Sequence, residues 1–353
     1  EQVEKSGFQF AGPSSDVIRI MGNKITAKKF AREVGLPILP DSNGPVSSNS
    51  KEQAEEIGYP LIIKAAAGGG GRGMRIVNSE DELENKLEIT RNEAIAAFGD
   101  STIYFEKYLT QPRHIEVQVL SDRFGNFLHL GDRDCSMQRR HQKVIEEAPA
   151  IGIPLEIKEE MSLKCLDACK RLKYVGAGTF EFLYEDEQFY FIEMNTRLQV
   201  EHTVTESITG LDIVKLQLRI ARNEELSIKQ KDISFSGHAI ECRINAEHPR
   251  SFNPSAGQIT DYHAPGGIGV RVDSHIYNNY TVPPFYDSLI AKVICIANDR
   301  EDSRIRLVRA LDEMYVSGID TNLDMHRDIV VDENFIQGNL DINYLENKFK
   351  TYP

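Results

Sequence analysis

The chain has 353 residues, with 41 Lys plus Arg against 54 Asp plus Glu and a formal net charge of −13, which argues against a general nucleic-acid binder. Hydrophobic residues make up 41%, enough to bury about two cores, so disorder is excluded for most of the chain. No apolar run of membrane-spanning length and no basic, apolar leader is visible, so neither membrane insertion nor secretion is expected and the reading is cytoplasmic.

In chain order, EQVEKSGFQFAG reads as the end of a helix, a Gly stop and a short strand. Asp16 to Val34 has helical spacing interrupted near Gly22, with Ser15 or Asp16 as N-cap, and Pro37 to Asn49 reads as a loop. A short helix stopped by Gly58 precedes the apolar run YPLIIKAAA, a glycine-rich turn and MRIV; a helix from Ser79 to Phe98 follows, opened by the capping-box pattern S-E-D-E. The strands IYFEKYL, HIEVQVLSD and FLHLGDRD, the helix IKEEMSLKCLDACKRLKY and the hairpin TFEFLYEDEQFYFIEMN come next. A helix from about Thr205 to Arg222, the strands SGHAIECRIN, GVRVDSH and LIAKVICIA, and a helix from Glu301 to Val316 complete the pattern. Antiparallel strands with interspersed helices predict an α+β fold. Five scattered cysteines without a CxxC pair read as reduced thiols, Cys165 and Cys169 packing on one helix face.

Three features carry chemistry. Gly68 to Gly71 and Gly73 sit between two strand-like runs, where backbone N–H groups unobstructed by side chains can wrap phosphate oxygens. The dinucleotide pattern G-x-G-x-x-G is met by Gly68, Gly70 and Gly73, but the loop enters a strand rather than a helix, so that reading fails. A phosphate lid with Lys64 beside it, or a hairpin tip without ligand, remains. In FYFIEMNTRLQVEH, period two puts Glu193, Asn195, Arg197, Gln199 and Glu201 on one face of an extended chain, and Ile192, Met194, Leu198 and Val200 on the other. Across the EDEQ turn Glu181 can oppose Glu193; two such carboxylates suit Mg²⁺ or Mn²⁺, a solvated charged hairpin being the alternative. Arg197 suits a small planar anion, and Glu201 is a candidate base. Finally, CSMQRRHQKVIEEAP clusters Gln138, Arg139, Arg140, His141 and Lys143 in an acidic protein, and Arg271 stands alone on GVRVDSH, where a salt bridge to an acidic neighbour is a fair rival to a ligand role.

KAAAGGGGRGMR, EKYLTQPRHIEVQVL, CSMQRRHQKVIEEAPA, FIEMNTRLQVEHTVTE, RINAEHP and HAPGGIGVRVDSHIYNNYTVPPFYDSLIAK together resemble the biotin carboxylase subunit of bacterial-type acetyl-CoA carboxylase, nearly end to end. The resemblance implies an ATP-grasp fold with a small glycine-loop lid (39–108) and a larger mixed-sheet catalytic and C-terminal domain (109–353), residues 1–38 being the remnant of a further N-terminal α/β domain and linker helices. It implies carboxylation of biotin, carried on a separate carrier protein, by ATP and bicarbonate. Lys24 and Lys64 would meet the ATP phosphates beneath Gly69, Gly70 and Gly71; Glu106, Lys107 and Leu109 would hold adenine; His114 and Gln138 would line the nucleotide site, and His141, Gln142 and Lys143 its ribose and phosphate end. Glu181, Glu193 and Asn195 would hold the metal ions. Arg197, Gln199 and the Val200 N–H would fix bicarbonate, Glu201 would take its proton, and Arg271 would stabilise the enolate-like oxygen of biotin. The implied partners are a biotin carboxyl carrier protein, carboxyltransferase subunits and, for the full-length chain, a second copy, with neither nucleic acid nor membrane. Readings left open are another acyl-CoA carboxylase, another bicarbonate-using ATP-grasp ligase, which the expected grouping of Arg271 with Arg197 and Glu201 argues against, and an inactive nucleotide-binding fragment.

Overall fold

The computed structural model describes residues 1–67 and 73–350; the expectation for Gly69, Gly70 and Gly71 therefore lies outside the described residues. A three-stranded antiparallel sheet runs in the order Met74–Val77, Leu61–Ala65, Ile103–Lys107. Alternation in Leu61–Ala65 turns Leu61 and Ile63 into a core with Leu83 and Leu87 of the helix Glu80–Phe98, leaving Ile62 and Lys64 for the opposite face. Gly73, at φ +69, returns the chain so closely that a Cβ there would lie 2.9 Å from that of Ala65, which explains the glycine. The expected capping box is not formed: the Ser79 side chain makes no cap bond, and Glu82 accepts from Asn78 N at 2.9 Å.

The large sheet has eight strands in the order Val270–Ser274, Leu289–Ala297, His238–Asn245, Gln142–Ala148, Phe127–Arg139, Arg113–Ser121, Gly176–Glu185, Gln188–Asn195. Each neighbouring pair is antiparallel, so the α+β reading holds and the sheet is not mixed. Both tight hairpins turn on two residues with positive φ, Asp186 and Glu187 in one and Arg140 and His141 in the other, the twist that best fits flanking strands. The first turn was expected. Arg-His is an unusual pair for such a turn, so the basic cluster did not read as a hairpin.

A register shift separates the pairs Glu181↔Glu193 and Phe182↔Phe191, making Ile192 an extra residue. It reverses the parity of the strand. Phe189 and Phe191 point into the core beside Phe180 and Phe182, and after the bulge Glu193 and Asn195 face the other way. Each buried Phe contributes ~1.5–3 kcal/mol, so the aromatic cluster anchors the hairpin that carries the polar face.

The N-terminal helical stretch is two helices, Ser15–Gly22 and Lys24–Glu33, separated by Asn23, whose side chain caps Ile25 N and Thr26 N at 3.0 and 3.1 Å. Ser14 is the N-cap of the first, one residue earlier than expected, and the strand read near Phe8 is not formed. Helix Leu155–Leu172 buries Cys165 and Cys169, and all five cysteines are buried and free. The long helix expected from Thr205 is also two, His202–Thr209 and Ile213–Ala221, because Gly210 adopts the left-handed conformation and Asp212 caps the second, accepting from Lys215 N at 2.7 Å. Among the described residues no helix is long and apolar enough to cross a membrane.

Candidate active site

A cavity of about 1150 Å³ opens between the small sheet and the large one. Lys64, Lys107 and Leu109 line it from the side of the small sheet, and Lys24 from the start of the helix Lys24–Glu33. His114, Gln138, His141, Gln142 and Lys143 come from the central strands and their turn, and Glu181, Glu193, Asn195, Arg197, Gln199, Val200 and Glu201 from the carboxylate hairpin and its exit. The chain leaves its strand at Asn195, so the extended alternation stops there. A turn instead carries Gln199 back to Glu181, Nε2 to Oε1 2.7 Å, and sets Glu201 at the N-cap of His202–Thr209. Ile192, by its bulge, and Val200, by this turn, also line the cavity, against the expectation that both would face away.

The ammonium of Lys143 stands at the centre. It donates to Glu181 Oε1 at 2.8 Å and Glu201 Oε1 at 2.7 Å, and contacts Glu116. Glu181 also accepts from Asn195 Nδ2 at 2.9 Å, and His114 Nε2 lies 3.3 Å from its second oxygen. Burial lowers the basicity of Lys143, but the three carboxylates more than reverse this and hold its pKa well above the ordinary value. Burial likewise opposes ionisation of Glu181, yet His114 and Lys143 keep its carboxyl well below the usual range. Glu201, destabilised by burial and by Glu116, is still lowered overall by Lys143, Arg243 and Arg133. It is therefore a carboxylate, able to accept a proton. His114 is disfavoured as a cation by burial, but Glu181 and Glu116 raise its pKa to about 9.

Two expected residues stand elsewhere. Glu106 turns its buried side chain to Lys28 and Lys64 and is not among the lining residues. Arg271 is bound by Glu206, Nη1 to Oε2 2.7 Å, and by both oxygens of Asp273 at 2.8 and 2.9 Å, in a separate depression. The reason is topological: its strand is one edge of the large sheet and the carboxylate hairpin is the other. Arg271 thus makes the ion pairs that the salt-bridge reading expected. Arg243, like Arg197, lines the cavity, with Nη2 2.9 Å from Glu201 Oε2 and Nε 2.5 Å from Glu146 Oε1.

Sequence reasoning also missed Glu116, which contacts Lys143 from the strand Arg113–Ser121. The period-two run His114, Glu116, Gln118 in HIEVQV was an available signal. Lys292, whose Nζ donates to Val200 O at 2.8 Å, holds the peptide beside Glu201 and carried no motif.

Residues 23–229 match the family model described as carbamoyl-phosphate synthase L chain, ATP binding domain, and residues 241–347 match that of the biotin carboxylase C-terminal domain. The fold is that of an ATP-grasp ligase. A biotin carboxylase of Pseudomonas aeruginosa is 57% identical over 99% of this chain and 78% of its own length, and a pyruvate carboxylase subunit of Methanothermobacter thermautotrophicus is 51% identical over 98% and 71%. A biotin carboxylase complex from Campylobacter jejuni superposes with a TM-score of 0.94 at 47% identity, covering 98% of this chain and 78% of that one. The biotin carboxylase domain dimer of Hydrogenobacter thermophilus 2-oxoglutarate carboxylase, solved with MgADP, ADP and bicarbonate, gives 0.94 at 45%, covering 100% and 79%. The chain belongs to the biotin carboxylase family.

Proposed function

We propose that the chain uses ATP and bicarbonate to carboxylate biotin on a separate carrier protein, the first half-reaction of an acetyl-CoA carboxylase in fatty acid synthesis. One observation carries this reading: a buried Glu201 held between Lys143 and Arg243 at the wall of a cavity that Arg197 and three further lysines also line. Bicarbonate is a weak nucleophile and its target is an anion, so the site must neutralise and orient both. Lys24, Lys64 and Lys143 supply positive charge for the ATP phosphates. Lys107, Leu109, Gln138, His141 and Gln142 line the nucleotide site.

The opposed carboxylates Glu181 and Glu193, with the Asn195 amide oxygen, are hard ligands lining the cavity and fit Mg²⁺ or Mn²⁺. Such ions, when bound, neutralise phosphate charge there. Arg197, Gln199 and the Val200 N–H orient bicarbonate while Glu201 accepts its proton as an oxygen attacks the γ-phosphorus and ADP leaves. The carboxyphosphate so formed divides into CO₂ and phosphate; the phosphate takes the proton of the biotin ureido nitrogen, and that nitrogen attacks CO₂. Arg243, which lines the cavity beside Glu201, would stabilise the enolate-like ureido oxygen in place of Arg271.

The partners of this reading are a biotin carboxyl carrier protein, carboxyltransferase subunits and a second copy of the chain. The pyruvate carboxylase relative, with its 51% identity, supports a second assignment of the final acceptor, which the carboxyltransferase selects. The test is ADP release by the purified chain with and without bicarbonate and free biotin, with carboxybiotin followed by isotope incorporation. Bicarbonate-independent ADP release without labelled biotin rejects the reading.

A further inference from the structure

Arg133 lies on the central strand Phe127–Arg139, is wholly buried and touches neither the cavity nor solvent. All five of its N–H groups are nonetheless used. Nε donates to Glu116 Oε2 at 2.9 Å, Nη1 to Gln118 Oε1 at 2.6 Å and Thr205 Oγ1 at 3.0 Å, and Nη2 to Thr179 Oγ1 at 3.2 Å and Gln199 Oε1 at 2.9 Å. The last bond decides how the Gln199 amide points. With its oxygen held by a guanidinium, only its NH₂ can face the cavity, where it now donates to Glu181. A flipped amide would turn its NH₂ toward the guanidinium and its oxygen toward the Glu181 carboxylate, unfavourable at both ends.

We propose that Arg133 is a positioning residue that locks the Gln199 side chain with its N–H donors toward the bicarbonate site. This rests on the function proposed above and adds a residue that never meets substrate. A buried arginine that merely stabilised the sheet would lower apparent turnover through the amount of folded enzyme and leave each KM unchanged. An orienting one alters the constant for the anion.

The experiment compares steady-state kinetics of the whole chain with those of Arg133→Lys, Gln199→Ala and the double variant, with far-UV circular dichroism and thermal melts to measure the folded fraction. Lysine keeps the charge but cannot span Glu116 and Gln199 together. The expected result is a bicarbonate KM raised about 10- to 100-fold with the ATP KM within about threefold, and a double variant no worse than Gln199→Ala alone. An unchanged bicarbonate KM in folded Arg133→Lys, or multiplicative effects in the double variant, overturns the proposal. If Arg133→Lys does not fold, Thr179→Val, which deletes one acceptor of the same Nη2, decides the point through a smaller rise in the same KM or none. A wild-type chain without bicarbonate-dependent turnover rejects the reaction itself, whereas an active wild type beside an unperturbed variant rejects only the role of Arg133.

Discussion

Arg243 and Arg271 can be set against each other, because the sequence favoured one and the cavity contains the other. Arg243→Met removes the guanidinium that bridges Glu146 and Glu201. Loss of a preorganised donor at a developing oxyanion costs about 10²–10³ in turnover, ~2.7–4 kcal/mol. Carboxybiotin formation should fall by that factor while bicarbonate-dependent ATP cleavage persists in part. Arg271→Ala breaks ion pairs of a 41% exposed side chain, worth ~0.2–1 kcal/mol of stability, and should leave carboxylation of free biotin within about threefold. Stability carries a second signature. Glu146, fully buried, has its pKa raised to about 8 by burial even though Arg243 opposes the shift. A carboxyl with a raised folded pKa contributes stability at low pH that is lost as pH rises toward that pKa, after which the curve levels. Without Arg243 the folded pKa moves higher, so the loss continues where the wild type has levelled. The gap between Arg243→Met and wild type should then widen above pH 8 by ~1.4 kcal/mol per pH unit in urea melts. Loss of carboxybiotin in Arg271→Ala equal to that in Arg243→Met, or a stability gap independent of pH between 7 and 9.5, would refute the assignment.

Glu201→Gln keeps the shape and removes the base; turnover should drop roughly 10²–10⁴-fold with the ATP KM little changed, and an undiminished rate in a bicarbonate-dependent ADP assay would exclude it as proton acceptor. Lys143→Met leaves Glu181 and Glu201 without their shared cation, costing ~3–5 kcal/mol; millimolar Mg²⁺ should raise the Tm of this variant more than that of wild type, and equal shifts would separate the lysine from the metal ligands. Far from the cavity, Arg300 binds Glu147, Nε to Oε2 2.6 Å, and donates to the carbonyls of Phe335 and Ile336. Burial would raise the Glu147 pKa, but His238 and Arg300 hold it at about 2. Its contribution is therefore present above the unfolded value and lost as pH falls from about 4.5 toward 2. Arg300→Met should cost ~3–5 kcal/mol near pH 7 and less toward pH 3; a constant deficit across that range would show that the pair is not its source.

The site was legible in the sequence wherever its residues are joined by local structure. The E-D-E-Q turn and a period-two run are properties of neighbouring residues, so the opposition of Glu181 and Glu193 could be read directly. Glycines between two apolar runs likewise announced a hairpin, and the alternating HIEVQV held a readable but overlooked Glu116. The bulge at Ile192 was hidden, because it answers to the aromatic core packed behind the strand rather than to the residues within it.

Local propensity and side-chain period, properties of the chain itself, determined the α+β class, most helices and strands, and the carboxylate hairpin. Which strands become neighbours is decided by long-range pairing, and that alone placed Arg243 near the centre of the sheet beside Glu201, sent Arg271 to the far edge, and brought Lys143 among three acids distant from one another in sequence. A lone arginine on an alternating strand looks the same at either position; only the order of the strands, set by cores buried on both faces of the sheet, tells a cavity wall from an outer edge.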